Sequence, residues 1–183
     1  MTLYTHAIVG LGLGRVCSRR RLPVLFWALA ALLPTVPDFD ALSFQPYGSI
    51  WGHRGWTHSL SFALVLGVIT AAVTFRYFKM KFWLLAGLFF AITASHAVLD
   101  ALTIGGFGIP FFWPFSSERF VIWGLVPLPI GMQWPDPWKY ASIRGELLWV
   151  WLPTIALVAG VSVCRYFRRW RSARQRAEIQ APA

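Results

Sequence analysis

The sequence has few charged residues and only two cysteines. Charged side chains make up 13% of its 183 residues, against about 25% in an average soluble domain, which is too few to cover a water-soluble surface. Cys17 and Cys164 are too few for a disulfide scaffold, and because each lies beside a basic cluster, no disulfide is predicted. Hydrophobic residues make up 57% of the chain, which excludes a disordered protein. The composition predicts one small helical membrane domain.

Four apolar runs, at residues 22–36, 60–75, 82–104 and 147–164, are candidates for membrane spans. A span needs about 20 helical residues, with a range of about 17–25. The first run is short, and its two prolines are expected to end or kink its helix. A fifth apolar segment, residues 3–16, is predicted to be a retained helix, tilted or partly re-entrant. We therefore predict an all-α fold, a small polytopic membrane helix bundle with four or five membrane segments.

The positive charge is concentrated between the apolar runs. The net charge is +10, and thirteen of the seventeen Lys and Arg residues lie in the clusters 15–21, 76–81 and 165–176. This pattern is typical of cytoplasmic anchoring rather than of nucleic-acid binding. It predicts a bacterial inner-membrane protein with a membrane-embedded domain, residues 1–164, and a basic cytoplasmic tail, residues 165–183. The loops 37–59 and 105–146 would then face the periplasm.

The two outer loops are rich in tryptophan, whose indole ring favours the headgroup region. Residues 105–146 are therefore expected to lie on the membrane or to fold back into it. Two interpretations remain open, an aromatic belt and a lid over a substrate. The tryptophans in question are Trp51, Trp56, Trp113, Trp123, Trp134 and Trp138.

Seven ionisable residues lie in or beside apolar segments, where a charge costs about 2.5–3.5 kcal/mol on insertion scales. Measured along a helix from the nearest cytoplasmic basic residue, most of them reach roughly 20–28 Å into the membrane. Several separate segments thus deliver imidazole and carboxylate groups to one layer near the outer face. This agreement in depth predicts a shared metal site formed by His6, Asp38, Asp40, His53, His58, His96 and Asp100.

The motifs differ in what they indicate. His96 and Asp100 are four residues apart and share one helix face, so they suit either a metal or a mutual hydrogen bond. Asp38 and Asp40 follow a double-proline break, where aspartate also suits a turn or a helix cap. Of these two carboxylates, Asp38 is the favoured ligand. His6, taken alone, suits a structural role.

His53 and His58 are five residues apart and do not align on one helix face. They can meet only if His53 lies in the loop and His58 in the first turn. The alternative is helix capping by Thr57 or Ser59 with two interfacial histidines. Arg54 lies between them, and its guanidinium fork matches phosphate. An arginine at this position would equally suit an anchor at the membrane interface.

Several strings together resemble the bacterial family of LexA-regulated, inner-membrane, metal-dependent hydrolases, over about residues 1–125. The order Asp, His, then His-x3-Asp is also distantly similar to the zinc ligands of the all-helical zinc-dependent phospholipase C and P1 nuclease superfamily. That resemblance implies one zinc on Asp38, His53, His96 and Asp100, and a second on His6. The sequence departs from the superfamily because no histidine follows His96, and only Glu118, Asp136 and Glu146 remain as outer acids. The strings are Pro37-Asp38-Phe39-Asp40, residues 53–59 (HRGWTHS), Ser95-His96-x3-Asp100 and residues 113–116 (WPFS), with His6 near the start.

Nitrogen and oxygen donors without thiolate suit zinc, manganese or iron(II). We therefore predict a mono- or dinuclear metal-dependent hydrolase, most suitably for a phosphoester in a lipid headgroup, with membrane lipids as partners and no nucleic acid. Arg54 would hold the phosphate, and Asp40 or Glu118 would act as base. The alternatives are a proton- or ion-coupled transporter and a non-catalytic membrane scaffold with a structural metal.

Overall fold

The computed structural model describes residues 1–18, 21–103, 107–122 and 140–180, without the side chains of residues 140–142 and 177–180. The predicted roles of Arg19, Arg20, Trp123, Trp134 and Trp138 fall outside the described residues, as does the outer acid Asp136. Six α-helices follow one another as α1 Leu3–Cys17, α2 Val24–Leu32, α3 Leu60–Phe78, α4 Phe82–Ala101, α5 Tyr140–Glu146 and α6 Leu152–Gln180.

The predicted all-helical membrane bundle is confirmed, and no strand occurs among the described residues. Within the described residues, four segments are long and apolar enough to cross a membrane, and they are Val24–Ser43, Leu60–Phe78, Phe82–Ala101 and Ile143–Arg176. Helix α1, at 15 residues, is shorter than the about 17 residues that a span needs. It packs against α2, α4 and α6, as expected for a retained helix.

The first span changes character at its prolines, as predicted. Helix α2 ends at Leu32, and a 3₁₀ helix continues over Leu33–Ser43 with Pro34 and Pro37 inside it. Proline lacks the N–H that an α-helix needs and clashes with the preceding turn. The tighter 3₁₀ winding, with about three residues per turn, carries the chain on to Asp38 and Asp40.

Helix α4 is the central element of the bundle. Its side chains Leu85, Phe89 and Ile92 are fully buried, and Phe89 stacks on Phe26 of α2 with 6.0 Å between the ring centroids. Much of the surface of α3 and α6 is apolar and exposed, as expected for helices that face lipid. The bundle therefore has a packed interior around α4, and its ionisable side chains must lie against this helix or at its ends.

Helices α3 and α4 approach each other closely at Gly67. A Cβ atom at this position would lie 2.6 Å from the backbone nitrogen of Phe90 and 2.9 Å from its Cα. We expect Gly67→Val to force the two backbones apart and to destabilise the bundle by about 1–3 kcal/mol, the usual cost of overpacking. Thermal unfolding in detergent would measure this loss.

Gly87, on the same helix pair, is the matched control, because a Cβ there meets nothing within 4 Å. Gly87→Val should leave the unfolding temperature almost unchanged. Equal unfolding temperatures for the Gly67 and Gly87 variants would contradict the close approach of α3 and α4.

The three basic clusters lie at one end of the bundle. Arg165 of α6 donates hydrogen bonds to the carbonyls of Arg15, Val16 and Ser18 at the end of α1. A cavity at the same end is lined by Ser18, Lys79 and Lys81, among others. Helix α4 begins at this end and finishes at Ala101, so His96 and Asp100 lie toward the opposite end.

At that opposite end the loops pack on the bundle. The amide of Ile122 donates to the carbonyl of Ala101, and the amide of Leu60 donates to the carbonyl of Phe111. The predicted tryptophans of the described part form a cluster, with ring centroids of Trp51, Trp56 and Trp113 separated by 5.9–6.4 Å. The described stretch 107–122 therefore packs on the ends of α3 and α4.

Candidate metal centre

Four side chains from three segments converge at the end of the bundle away from the basic clusters. Asp38 comes from the 3₁₀ helix, His58 from the short 3₁₀ turn Trp56–His58, and His96 and Asp100 from α4. One nitrogen or oxygen atom from each lies within 4.8 Å of the other three. His58, His96 and Asp100 are buried, whereas the side chain of Asp38 keeps 17% exposure. Asp38 is therefore the side of the cluster that faces outward.

The distances among these atoms suit coordination of one cation. The two Nε2 atoms of His58 and His96 lie 2.9 Å apart. The Oδ1 atom of Asp38 is 3.7 and 3.4 Å from them, and the Oδ2 atom of Asp100 is 3.8 and 3.9 Å from them. Ligands about 2.0–2.1 Å from a tetrahedral zinc lie about 3.4 Å from one another. Small shifts of the side chains would thus bring all four to bonding distance of one ion.

A backbone carbonyl determines which ring nitrogen of His96 carries the proton. Its Nδ1 lies 2.7 Å from the carbonyl oxygen of Pro34, which can only accept, so Nδ1 carries the proton. The Nε2 atom is then left with its lone pair directed into the cluster. Such an outer hydrogen bond is the usual way in which proteins orient a metal-binding histidine. The predicted alternative, a hydrogen bond from His96 to Asp100, is not formed at 3.9 Å.

Asp40 supports His58 from outside the four-residue cluster. Its Oδ2 lies 3.2 Å from Nδ1 of His58 and accepts a hydrogen bond from Thr57 Oγ1 at 2.5 Å, while its Oδ1 lies 2.8 Å from Nδ1 of His53. This is the carboxylate–histidine arrangement found behind many metal ligands. Asp40, His53 and His58 also form a second group of possible ligands. Asp40 and His53 thus belong to this neighbouring group and not to the group of four that contains Asp38.

The two histidines of the HRGWTHS string meet in the way that the sequence required. His53 lies in a turn, and His58 ends the 3₁₀ turn just before α3, with their ring centroids 5.4 Å apart. Ser59 caps α3 by accepting a hydrogen bond from the amide of Phe62. Helix capping and clustering of the histidines therefore occur together, because Ser59 forms the cap and the neighbouring His58 joins the cluster.

The carboxylates around His58 set its charge. Burial opposes protonation of His58, but the carboxylates of Asp38 and Asp40 outweigh it and raise the pKa of His58 to about 9. A strongly negative surrounding favours positive charge at this position. The same field favours a divalent cation bound to these side chains.

Arg54 lies against the cluster, as the sequence predicted. Its side chain is buried, Nη2 donates to Thr103 Oγ1 at 2.8 Å, and Nε lies 3.4 Å from Oδ2 of Asp100. The Nε–H has no hydrogen-bond partner among the described residues. Its backbone has the left-handed φ of 64°, which is uncommon for a residue other than glycine. The buried guanidinium therefore keeps one donor for a further acceptor.

His6 lies at the edge of the cluster. Its ring stacks on His96 with 3.9 Å between centroids, and its Nε2 is 3.4 Å from Oδ1 of Asp100. That oxygen also accepts a hydrogen bond from the amino group of Met1 at 2.7 Å. Both ring nitrogens of His6 are buried without a hydrogen-bond partner among the described residues. The structure thus brings His6 next to Asp100 but not into the group of four.

Glu118 is the predicted site residue that stands apart. It is exposed in the loop of residues 107–122, and it belongs to neither of the two possible ligand groups found among the described residues. The other outer acid in the described part, Glu146, is buried and accepts hydrogen bonds from the hydroxyls of Thr2 and Thr5. Glu146 therefore fastens the start of α1 to the segment that leads into α6.

Sequence reasoning missed Arg119, which fastens the two outer loops together. Its guanidinium donates to the carbonyls of Arg54 at 3.1 Å, Gly108 at 3.0 Å and Gly48 at 2.5 Å. Hydrogen bonds from a charged donor are each worth about 1.5–3 kcal/mol. A lone loop arginine carries no periodic signal, so only its position in the fold reveals this role.

We expect Arg119→Gln to loosen the loop that carries Arg54 and His53. Hydrogen exchange of the amides of Gly48 and Trp56, which are bonded to His53 and Ile50, should accelerate at least about tenfold, as follows from the loss of about 1.5 kcal/mol or more. Arg76→Gln, at the other end of the bundle, is the control. Unchanged exchange in the Arg119 variant would show that these loops hold without it.

Comparison with known proteins identifies the family. The chain belongs to the YdjM inner membrane protein family, whose sequence profile matches residues 1–171. It is 35% identical over 167 residues to the inner membrane protein YbcI of Escherichia coli (strain K12), which covers 86% of this chain and 94% of that protein. It is 36% identical over 100 residues to the uncharacterized protein YvsG of Bacillus subtilis (strain 168), which covers 49% of this chain and 58% of that protein. No solved structure matches the chain significantly.

The family membership confirms part of what the sequence suggested. With four apolar helices, it establishes a multi-pass protein of the inner membrane. It does not support LexA regulation or the likeness to the phospholipase C and P1 nuclease superfamily. That likeness placed His53 with Asp38, His96 and Asp100, whereas in the structure His58 completes the four.

Proposed function

We propose that this protein is a metal-dependent hydrolase that cleaves a phosphoester, such as that of a lipid headgroup, at the periplasmic end of the bundle. The observation that carries the proposal is the convergence of two imidazole nitrogens and two carboxylate oxygens beside a buried arginine. The Nε–H of Arg54, which has no hydrogen-bond partner among the described residues, could donate to a substrate oxygen, a contact that a purely structural ion would not need. Four protein ligands also leave one side of the cluster, at Asp38, partly exposed.

The donor set supports zinc, with manganese or iron(II) as the alternatives. Imidazole and carboxylate without thiolate are ligands common to all three. A divalent cation held by Asp38, His58, His96 and Asp100 would polarise a phosphoryl oxygen and, if it takes a fifth ligand, would lower the pKa of a bound water molecule toward about 7. The tautomer of His96, fixed by Pro34, keeps its Nε2 ready for this role.

Arg54 is the proposed phosphate-binding residue. A guanidinium matches the geometry of phosphate oxygens and stays charged when buried. Its contacts with Thr103 and Asp100 hold the side chain in place before a substrate arrives. The negative charge that develops on a phosphoryl group would thus meet an oriented donor.

Asp40 and His53 are proposed to act together as the general base. Because the carboxylate accepts, Nδ1 of His53 donates to Asp40, and Nε2 of His53 remains free to accept a proton. The side chain of His53 is 27% exposed, and that of the neighbouring Asp38 is 17% exposed. Glu118 is the alternative base, and comparison of His53→Gln with Glu118→Gln, each measured at equal metal occupancy, would decide between them, because loss of the true base should cost about 10²–10⁴-fold in rate.

The orientation of the site is part of the proposal. The positive-inside rule would place the basic end, with the C-terminal tail, in the cytoplasm and the site toward the periplasm. The buried ionisable side chains of the described residues lie at the site end, and they are His6, Arg54, His58, His96, Asp100 and Glu146. A proton-coupled carrier would need such groups along its whole path, so this distribution favours an enzyme.

The test is hydrolysis of phosphatidylglycerol and phosphatidic acid in mixed detergent micelles by the purified protein. We expect phosphate or phosphoester release that requires bound metal and falls at least about 100-fold in Asp38→Asn, while Arg76→Gln retains it. Metal bound at full occupancy without release from either lipid would favour the scaffold with a structural metal. Flux across proteoliposomes without hydrolysis would favour the carrier.

A further inference from the structure

A groove on the surface of α6, bounded by Val16 at the end of α1, extends to the basic end of the bundle, far from the candidate metal centre. It has a volume of about 820 Å³, and its walls are apolar along most of their length, with Val16, Leu157 and Val161 among the lining residues. At one end the lining changes to Arg168 and Arg169. A cleft that is apolar along its length and cationic at one end matches an amphiphile with an anionic head.

Helices α1 and α6 touch at two points near the groove. At Gly12 the helices nearly touch, since a Cβ there would lie 2.5 Å from Cγ2 of Thr154. Eleven residues further along α6, Arg165 donates to the carbonyls of Arg15, Val16 and Ser18. These two points are about 16 Å apart along the helix. The two contacts therefore fix the position of α6 relative to α1 beside the groove.

The arginines at its end are available for a ligand. Arg165 is occupied by three carbonyls, but Arg168 and Arg169 are exposed, and no acidic side chain of the described residues lies within 4 Å of them. They follow the apolar part of α6 directly, where basic residues beside a membrane span usually meet the headgroups. Basic residues at this position attract the anionic lipids of the cytoplasmic leaflet.

We propose that this groove binds one acidic phospholipid, with an acyl chain along Leu157 and Val161 and the phosphate on Arg168 and Arg169. Charge complementarity favours a lipid over a second copy of the chain. Two copies joined at this face by a two-fold axis would bring both arginine pairs together, and like charges repel at an interface. The proposal does not depend on the hydrolase assignment, because the groove and the metal centre lie at opposite ends.

The experiment is native mass spectrometry of the full chain, released from detergent after equilibration with an equimolar mixture of phosphatidylglycerol and phosphatidylcholine. We expect one retained phosphatidylglycerol per chain. Arg168→Gln/Arg169→Gln should weaken retention about 30-fold, at about fivefold for each arginine near a membrane surface. Arg171→Gln/Arg174→Gln removes the same charge outside the groove and should retain the lipid.

A second variant tests the apolar part of the groove. Gly160 lines it, and a Cβ there meets nothing within 4 Å, so Gly160→Leu should fold normally and obstruct the acyl chain. We expect lost retention with both arginines present. Unchanged retention in either Arg168→Gln/Arg169→Gln or Gly160→Leu would overturn the proposal, as would equal retention of the two lipids. Disulfide-linked pairs through Cys164 in membranes, with unchanged lipid retention, would assign the groove to a second copy instead.

Discussion

A His96→Ala variant is expected to lose almost all bound metal. The imidazole would supply one of four ligand atoms, and its Nε2 is within 2.9–3.9 Å of the other three. Removal of an outer-shell partner alone typically costs about 10–100-fold in metal affinity, so loss of a direct ligand should exceed about 100-fold. Metal content per chain, measured by plasma mass spectrometry after gel filtration in detergent, should fall from about one to near zero.

Two further variants separate ligand loss from misfolding. Asp38→Asn keeps the size of a partly exposed side chain and removes its charge, and it should also lose the metal. Ser95→Ala, adjacent to His96 and bonded only to the carbonyl of Ile92 in its own helix, should keep it. Asp40→Asn should have an intermediate effect of about 10–100-fold, as expected for a residue that orients His58. Equal metal in His96→Ala and Ser95→Ala would remove His96 from the centre.

The second large effect is expected at Arg54. Arg54→Gln should lower kcat/KM for a phosphoester by about 10²–10³-fold, the usual cost of removing one donor that stabilises developing negative charge. The metal content should remain, because Arg54 contacts Asp100 without being a ligand. This combination, lost turnover with retained metal, distinguishes a phosphate-binding residue from a metal ligand.

Stability must be measured together with activity in this variant. Removing one partner of a buried ion pair can cost about 3–5 kcal/mol, although a cation on Asp100 would offset much of that cost. Arg54→Lys keeps the charge and loses the fork, so it should recover folding but only part of the turnover. Full activity of Arg54→Gln would leave Arg54 as an anchor of the outer loop.

The membrane helices could be predicted from the sequence because the bilayer imposes a length and a hydropathy on every span. The runs at 60–75 and 82–104 became α3 and α4 with small changes at their ends. The double proline correctly indicated where the first helix changes. It could not indicate that the chain would continue as a 3₁₀ helix to Ser43, since this depends on packing against α1 and α4.

Depth along a helix predicted the layer of the candidate site but not the positions within that layer. Asp38 and Asp40 lie at one depth, yet two residues of a 3₁₀ helix with about three residues per turn point in different directions. Asp38 therefore faces His96, and Asp40 faces His53. His6 reached the correct layer and stacks on His96. Glu118 lies in a loop, where depth carries no information, and it is exposed.

Some of the site depends on backbone groups that no side-chain pattern can show. The carbonyl of Pro34 sets the tautomer of His96, and three loop carbonyls hold Arg119. Thr57 was predicted as a possible cap, but its hydroxyl donates to Asp40 instead. Such contacts become visible only when the 3₁₀ helix, the outer loops and α4 are assembled.

X-ray absorption at the zinc edge of the purified protein tests the coordination most directly. The account predicts two imidazole nitrogens and carboxylate oxygens at about 2.0–2.1 Å, with no sulfur in the first shell. A sulfur shell at about 2.3 Å, which would require Cys17 or Cys164, or a spectrum with fewer than two imidazoles, would contradict a centre built on His58 and His96.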